Sequence, residues 1–98
     1  MFTDKVCTAL QLGPQGVRVN AVNPGPVKTE LFRRAGMSDT DCDQMFVGIE
    51  INSPLKKITK GEDVAELVMF LASDKASCIS GSCCVIDCGL TLGDASNL

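Results

Sequence analysis

Pro24-Gly25-Pro26-Val27-Lys28-Thr29 follows closely on an apolar, partly β-branched run, Val17-Arg18-Val19-Asn20-Ala21-Val22. A strand that ends in a Pro-Gly turn and then reaches a threonine is a candidate binding element. In an open parallel sheet, ligands sit just beyond the carboxyl ends of the strands. A threonine hydroxyl there can donate or accept a hydrogen bond. Thr29 also has a plainer role open to it, as the cap of a following short helix through Thr29-Glu30-Leu31, and the two roles are compatible. Pro24-Gly25 ends the strand in either case.

Other reactive groups are sparse or poorly arranged. The chain has no tyrosine and no histidine. Its six cysteines are Cys7, Cys42, Cys78, Cys83, Cys84 and Cys88. Cys83 and Cys84 are adjacent in a strand-like run, so their side chains point to opposite faces and cannot share one partner site. No Cys-x-x-Cys pair and no nearby histidine supplies zinc-ligand spacing. The cysteines therefore read as reduced thiols that act as small apolar residues. No metal site is expected.

The elements that must carry these residues can be read from periodicity. Phe2, Val6, Ala9 and Leu10 follow helical spacing, and Gly13-Pro14 is expected to stop that helix, with Gly13 in the left-handed position. Val17–Val22 is predicted as a strand that Asn23-Pro24-Gly25-Pro26 ends. Leu31–Ala35 suits a short helix ended by Gly36, and Ser38 suits the cap of a second. Residues 31–53 are irregular in pattern, and a long irregular insertion in a compact domain is commonly a functional lid. Thr59-x-x-Glu62 matches a capping box. Val64, Leu67, Val68 and Leu71 then form a helical stripe, widened by Ala65, Met69, Phe70 and Ala72 to the breadth of a helix buried on more than one side. Cys83-Cys84-Val85-Ile86 fits a strand buried on both faces. Asp87-Cys88-Gly89 closes it, and residues 94–98 read as a frayed tail.

Two strands separated by a helix imply a right-handed parallel crossover. A sheet two strands wide is marginal, which suggests an α/β unit incomplete by itself. The 98 residues allow one small domain at most. With 45% hydrophobic and 21% charged residues the chain is globular in composition. A net charge of −3 argues against nucleic acid and anionic membrane as partners. No apolar stretch approaches a membrane span, and Met1–Lys5 has no signal-peptide pattern. A cytoplasmic location is expected.

Nearly the whole chain resembles the last two-fifths of a short-chain dehydrogenase/reductase. Thr8–Asn20 is similar to that family's helix end and penultimate strand. Pro24-Gly25-Pro26-Val27-Lys28-Thr29 is similar to its nicotinamide loop. Gly61-Glu62-Asp63-Val64-Ala65 and Phe70-Leu71-Ala72-Ser73-Asp74 resemble its last long helix, and Ile79-Ser80-Gly81 with Val85-Ile86-Asp87-Cys88-Gly89 its final strand. The resemblance implies the C-terminal part of a Rossmann-like, doubly wound parallel sheet in the order helix, strand, loop with short helices, helix, strand. Residues 1–98 would be one partial domain, with 31–53 as a substrate lid.

It further implies that Pro24 and Gly25 shape the turn under a nicotinamide ring. The N–H of Val27 and the hydroxyl of Thr29 would hold the carboxamide, which needs one fixed donor and one fixed acceptor. The cofactor would be NAD or NADP in a full-length parent, with none expected on this chain alone. The family's catalytic Ser, Tyr and Lys would precede Met1, so no catalytic residue is assigned here; Lys5 and Lys28 have no tyrosine to activate. Gly89-x-x-x-Gly93-x-Ala95 only superficially resembles the family's pyrophosphate turn, because too few residues follow for a helix N-terminus. Cys88 stands where the family usually has a glycine, and a positive φ there would strain it.

The leading expectation is a fragment of an oxidoreductase acting on an alcohol or carbonyl, a homo-oligomer in its parent form, with a Tyr–Lys pair moving the proton and the nicotinamide the hydride. Alone, the chain is not expected to catalyse. The alternative is a truncated, non-catalytic module that pairs with full-length subunits through the helix over 62–72. A cysteine-rich metal or redox protein comes third, for lack of ligand spacing.

Overall fold

The computed structural model describes residues 2–92, with side chains from Lys5 onward. The element order is α1 (Phe2–Leu12), β1 (Ala21–Pro24), β2 (Val27–Lys28), α2 (Leu31–Arg34), α3 (Asp39–Asn52), β3 (Thr59–Lys60), α4 (Gly61–Ala72) and β4 (Cys83–Ile86). β1 and β4 pair in parallel, with Ala21 opposite Cys83 and Pro24 opposite Ile86. That is the crossover the helix between them requires. A second parallel pair, not foreseen from the sequence, sets Val27 of β2 opposite Thr59 of β3.

Several local expectations need correction. The left-handed residue after α1 is Gly16 (φ 78°), because Gly13–Gln15 continues the helix as a tight turn before the chain reverses. The first strand starts at Ala21 rather than Val17, and it runs on through Pro24. Val17–Asn20 still lies beside residues 79–82, but side chains do much of the joining. The Asn20 amide donates to the Ile79 carbonyl (2.9 Å) and accepts from the Ser82 N–H (3.1 Å). Arg18 donates to the carbonyls of Leu71 (2.7 Å) and Ser73 (3.0 Å). A cation on these terminal carbonyls closes α4 where its backbone acceptors run out.

The capping box at the start of α4 is shifted by one residue. Lys60 is the N-cap, and its N–H donates to the Asp63 carboxylate (2.9 Å). Thr59 is instead buried in β3, with its hydroxyl directed to the Ile86 carbonyl (3.4 Å). Strand pairing with Val27 turns that side chain inward, which removes it from the helix end. Ser38 caps α3 as expected, accepting from the Asp41 N–H (3.1 Å).

The buried apolar cluster centres on α3. Cys42, Phe46 and Ile58 are buried together, with Met37, Met45 and Ile49 against them. By contrast α4 buries only Leu71 fully and leaves Met69 71% exposed. Val85 of β4 is 55% exposed, so neither α4 nor β4 is covered on both sides by the described residues. Broad apolar surface in the sequence is thus open surface in this unit. Residues 94–98 lie outside the described residues.

Candidate functional site

The site is built where β1 and β4 end together. The Gly25 N–H donates to the Ile86 carbonyl (3.1 Å), extending the ladder one step beyond the paired strands. A Cβ on Gly25 would meet the Cβ of Asp87 at 2.6 Å. Only glycine lets the backbone pass so close to the neighbouring chain. Asp87 is itself fixed. Its carboxylate accepts from the N–H groups of Gly89 (2.8 Å) and Thr91 (2.9 Å). Hydrogen bonds from Thr91, side chain first and then backbone, with that from Gly89, hold its carboxyl below the usual carboxylate range.

The turn after Asp87 carries the strain anticipated for Cys88. Its φ is +59°, beside Gly89 at +84°. The left-handed region is uncommon for a side-chain-bearing residue. The turn packs on the segment after α3: a Cβ on Gly89 would touch the Pro54 ring at 3.1 Å, and the Leu55 N–H donates to the Cys88 carbonyl (3.2 Å). Ser53, buried at the end of α3, fixes that segment by accepting from the Lys57 N–H (2.9 Å) and donating to the Lys57 carbonyl (2.7 Å).

The four residues singled out from the sequence are contiguous in space. Pro24 ends β1, Gly25 turns against Asp87, Val27 lies in β2, and Thr29 stands exposed before α2. The Thr29 oxygen accepts from the Leu31 N–H (3.3 Å), a local turn bond, while the N-cap of α2 is Glu30 rather than Thr29. Among the described residues the Thr29 hydroxyl proton has no protein acceptor, so the group remains a donor. Gly25, Val27 and Thr29 line one side of a cleft of about 470 Å³. Leu31 and Phe32 of α2 and Met45, Phe46 and Ile49 of α3 form the other side.

The sequence did not point to the residue that braces α2 against α3. Arg33 pairs with Glu30 (3.1 Å), Asp39 (2.9 Å) and Asp43 (2.9 Å), tying α2 to the N-terminal part of α3. The hydrogen bond with Glu30, followed by the other charges, raises the pKa of Arg33 further. Only the helical spacing of Glu30 and Arg33 was visible as a signal. The described cysteines are all free thiols. No group of three or more possible metal ligands exists among the described residues. Nor is any described helix long and apolar enough to cross a membrane.

Residues 6–91 match the family profile described as Enoyl-(Acyl carrier protein) reductase. The chain is 39% identical over 88 residues to 2,3-dihydro-2,3-dihydroxybenzoate dehydrogenase of Escherichia coli, covering 86% of this chain and 36% of that one. It is 36% identical over 81 residues to carbonyl reductase [NADPH] 2 of Sus scrofa, covering 83% and 32%. Its fold matches a short-chain dehydrogenase/reductase of unknown function from Caenorhabditis elegans, solved with cofactor. That match has a TM-score of 0.84 and 29% identity, over 98% of this chain and 37% of that one. The chain thus spans about a third of the length of the curated relatives it matches.

Proposed function

The chain belongs to the short-chain dehydrogenase/reductase family, and on that premise we propose that it forms the nicotinamide loop and substrate lid of an NAD(P)-dependent oxidoreductase acting on an alcohol or carbonyl compound. The observation that carries this reading is the placement of Thr29. A hydroxyl with a proton to give stands at the mouth of an apolar cleft, on a loop locked by the approach of Gly25 to Asp87. Such a loop fits a carboxamide: the Thr29 hydroxyl would donate to its oxygen, and the backbone at Val27 would fix its plane. Pro24 and Gly25 would form the floor beneath the ring. A bound nicotinamide supplies the hydride chemistry. The residues of this chain bind, orient and exclude water. With no tyrosine, these 98 residues hold no Tyr-x-x-x-Lys pair to move the proton.

The test joins this chain to the first two-thirds of the Escherichia coli relative. The joined protein should turn over with NAD(P), while the chain alone should not. Thr29→Val should raise the KM for cofactor by up to about tenfold, the worth of one hydrogen bond, and Thr29→Ser should restore it. Unchanged cofactor KM in Thr29→Val would overturn the assignment.

A second reading is favoured by α4, where Val68, Met69 and Phe70 are all exposed. That face suits a non-catalytic module docking on full-length subunits. Co-expression with a full-length relative, followed by measurement of the mass of the complex, separates the two.

A further inference from the structure

We propose that the lysines gathered after α3 and on the β2–β3 pair form a binding site for a small molecule carrying a dianionic phosphate group. Lys28 of β2 lies opposite Lys60 of β3 in parallel register, and both are exposed. Lys56, Lys57 and Lys60 line a cleft of about 350 Å³ together with Glu50, Ile58 and Asp63. That volume lies within the range of small-molecule sites, about 300–1,000 Å³. Four of the nine cationic side chains thus stand in one place, in a chain of net charge −3. Like charges facing each other across a strand pair are destabilising, so this arrangement calls for a counter-charge.

The protein itself supplies little of that counter-charge. Among the described residues no carboxylate pairs with the Lys28, Lys57 or Lys60 side chain, whereas Arg33 takes three. The Lys28 ammonium rests over the buried Phe46 ring, 5.9 Å from its centre. The Lys56 ammonium donates to the Ile51 carbonyl (2.6 Å), a neutral partner. Of the two carboxylates in the lining, Asp63 is occupied in accepting from the Lys60 N–H (2.9 Å) at the start of α4. Glu50 remains, and the ammonium groups still outnumber the carboxylates. A ligand with one negative charge gains little from such a balance. A phosphate dianion can accept from several ammonium groups at once. The small cleft and its two carboxylates argue against an extended polyanion. Lys28 stands between Val27 and Thr29, so an anion held here would also restrain the loop that carries them. The site requires no bound nicotinamide and stands or falls apart from the cofactor loop.

The 98-residue chain would be treated with formaldehyde and borane, which methylate accessible lysines, and the extent of reaction at each lysine read by mass. Orthophosphate and glycerol 3-phosphate should protect Lys28, Lys57 and Lys60. Half-protection should come at about 1 mM, the affinity that two or three charge-assisted hydrogen bonds supply. Sodium chloride at matched ionic strength should not protect them. Lys75, exposed beyond α4, is the internal control and should react at an unchanged rate. The tighter of the two phosphates tells a free ion from an ester, and either supports the site. Lys57→Gln should raise the half-protecting concentration at Lys28 and Lys60 about tenfold, whereas Lys57→Arg should hold it. Equal protection of Lys75, no protection beyond that of chloride, or indifference to Lys57→Gln would overturn the proposal.

Discussion

A Cβ on Gly25 would lie 2.6 Å from the Cβ of Asp87 and 3.4 Å from its Cα. The ends of β1 and β4 therefore meet more closely than any side chain at residue 25 allows. The loop that presents Val27 and Thr29 takes its direction from this contact. Gly25→Ala should destabilise the chain by about 1–3 kcal/mol, because backbone rather than a flexible side-chain tip must move. In a double-mutant cycle with Asp87→Gly, the two penalties should sum to more than the double variant shows. Denaturant midpoints measure all three, and strict additivity would contradict the contact.

Asp87 gives the same junction a dependence on pH. Its carboxyl is held below the usual range by the hydrogen bonds from Thr91 and Gly89. A depressed folded-state pKa contributes stability that is present above the unfolded value, about 3.9, and is lost as pH falls through the folded value. The wild-type chain should therefore exceed Asp87→Asn in stability at neutral pH. The difference should shrink below about pH 4, where the unfolded-state carboxyl protonates. Denaturant midpoints at pH 7 and pH 3 measure it; a gap that widens toward acid would contradict the assignment.

The turn at Cys88 carries a cost that can be removed. Its φ of +59° places an L-residue in the left-handed region. That costs roughly 1–2 kcal/mol, whereas glycine loses about 0.5–1 kcal/mol more in chain freedom on folding. Cys88→Gly should thus stabilise by up to about 1 kcal/mol, and Cys88→Val should destabilise. The contact surrendered, Cys88 Sγ to the Thr59 hydroxyl at 3.7 Å, is long and weak. Thermal melts of the three proteins would show the order Gly, Cys, Val.

Much of this arrangement is legible in the sequence, because local chemistry dictates it. Ser38 announces the cap of α3, and the stripe of Val64, Leu67 and Leu71 announces α4. The parallel crossover follows from the order of elements. What escaped depends on contacts distant in sequence. Thr59 reads as a helix cap until pairing with Val27 draws it into a strand. Val17–Asn20 reads as a ladder, although Arg18 and Asn20 are spent on residues more than fifty positions away. The Gly25–Asp87 approach spans the whole crossover, and no spacing rule reports it. The brace at Arg33 escaped for a related reason: two of its three partners lie across a loop, on another helix.

The open surface of the unit sets its behaviour in solution. Its radius of gyration is 16.7 Å. A compact domain of this length has about 13 Å. The β1–β4 sheet has only two strands among the described residues, and such a sheet is marginal unless its faces are covered. On α4, Val68 (48%), Met69 (71%) and Phe70 (43%) are exposed, and on β4 Val85 (55%) is open as well. Each Å² of apolar surface withdrawn from water gains about 25 cal/mol, and ordinary domains are stable by only a small margin. Association is the available route to that gain. The 98-residue chain should therefore show a mass by light scattering that rises with concentration, and it should bind a dye for exposed apolar surface. Met69→Lys with Phe70→Gln, both compatible with a helix, should shift it toward monomer and reduce dye binding without loss of helical signal. A chain monomeric at every concentration, with no dye bound, would show that α4 and β4 are covered by some arrangement other than association.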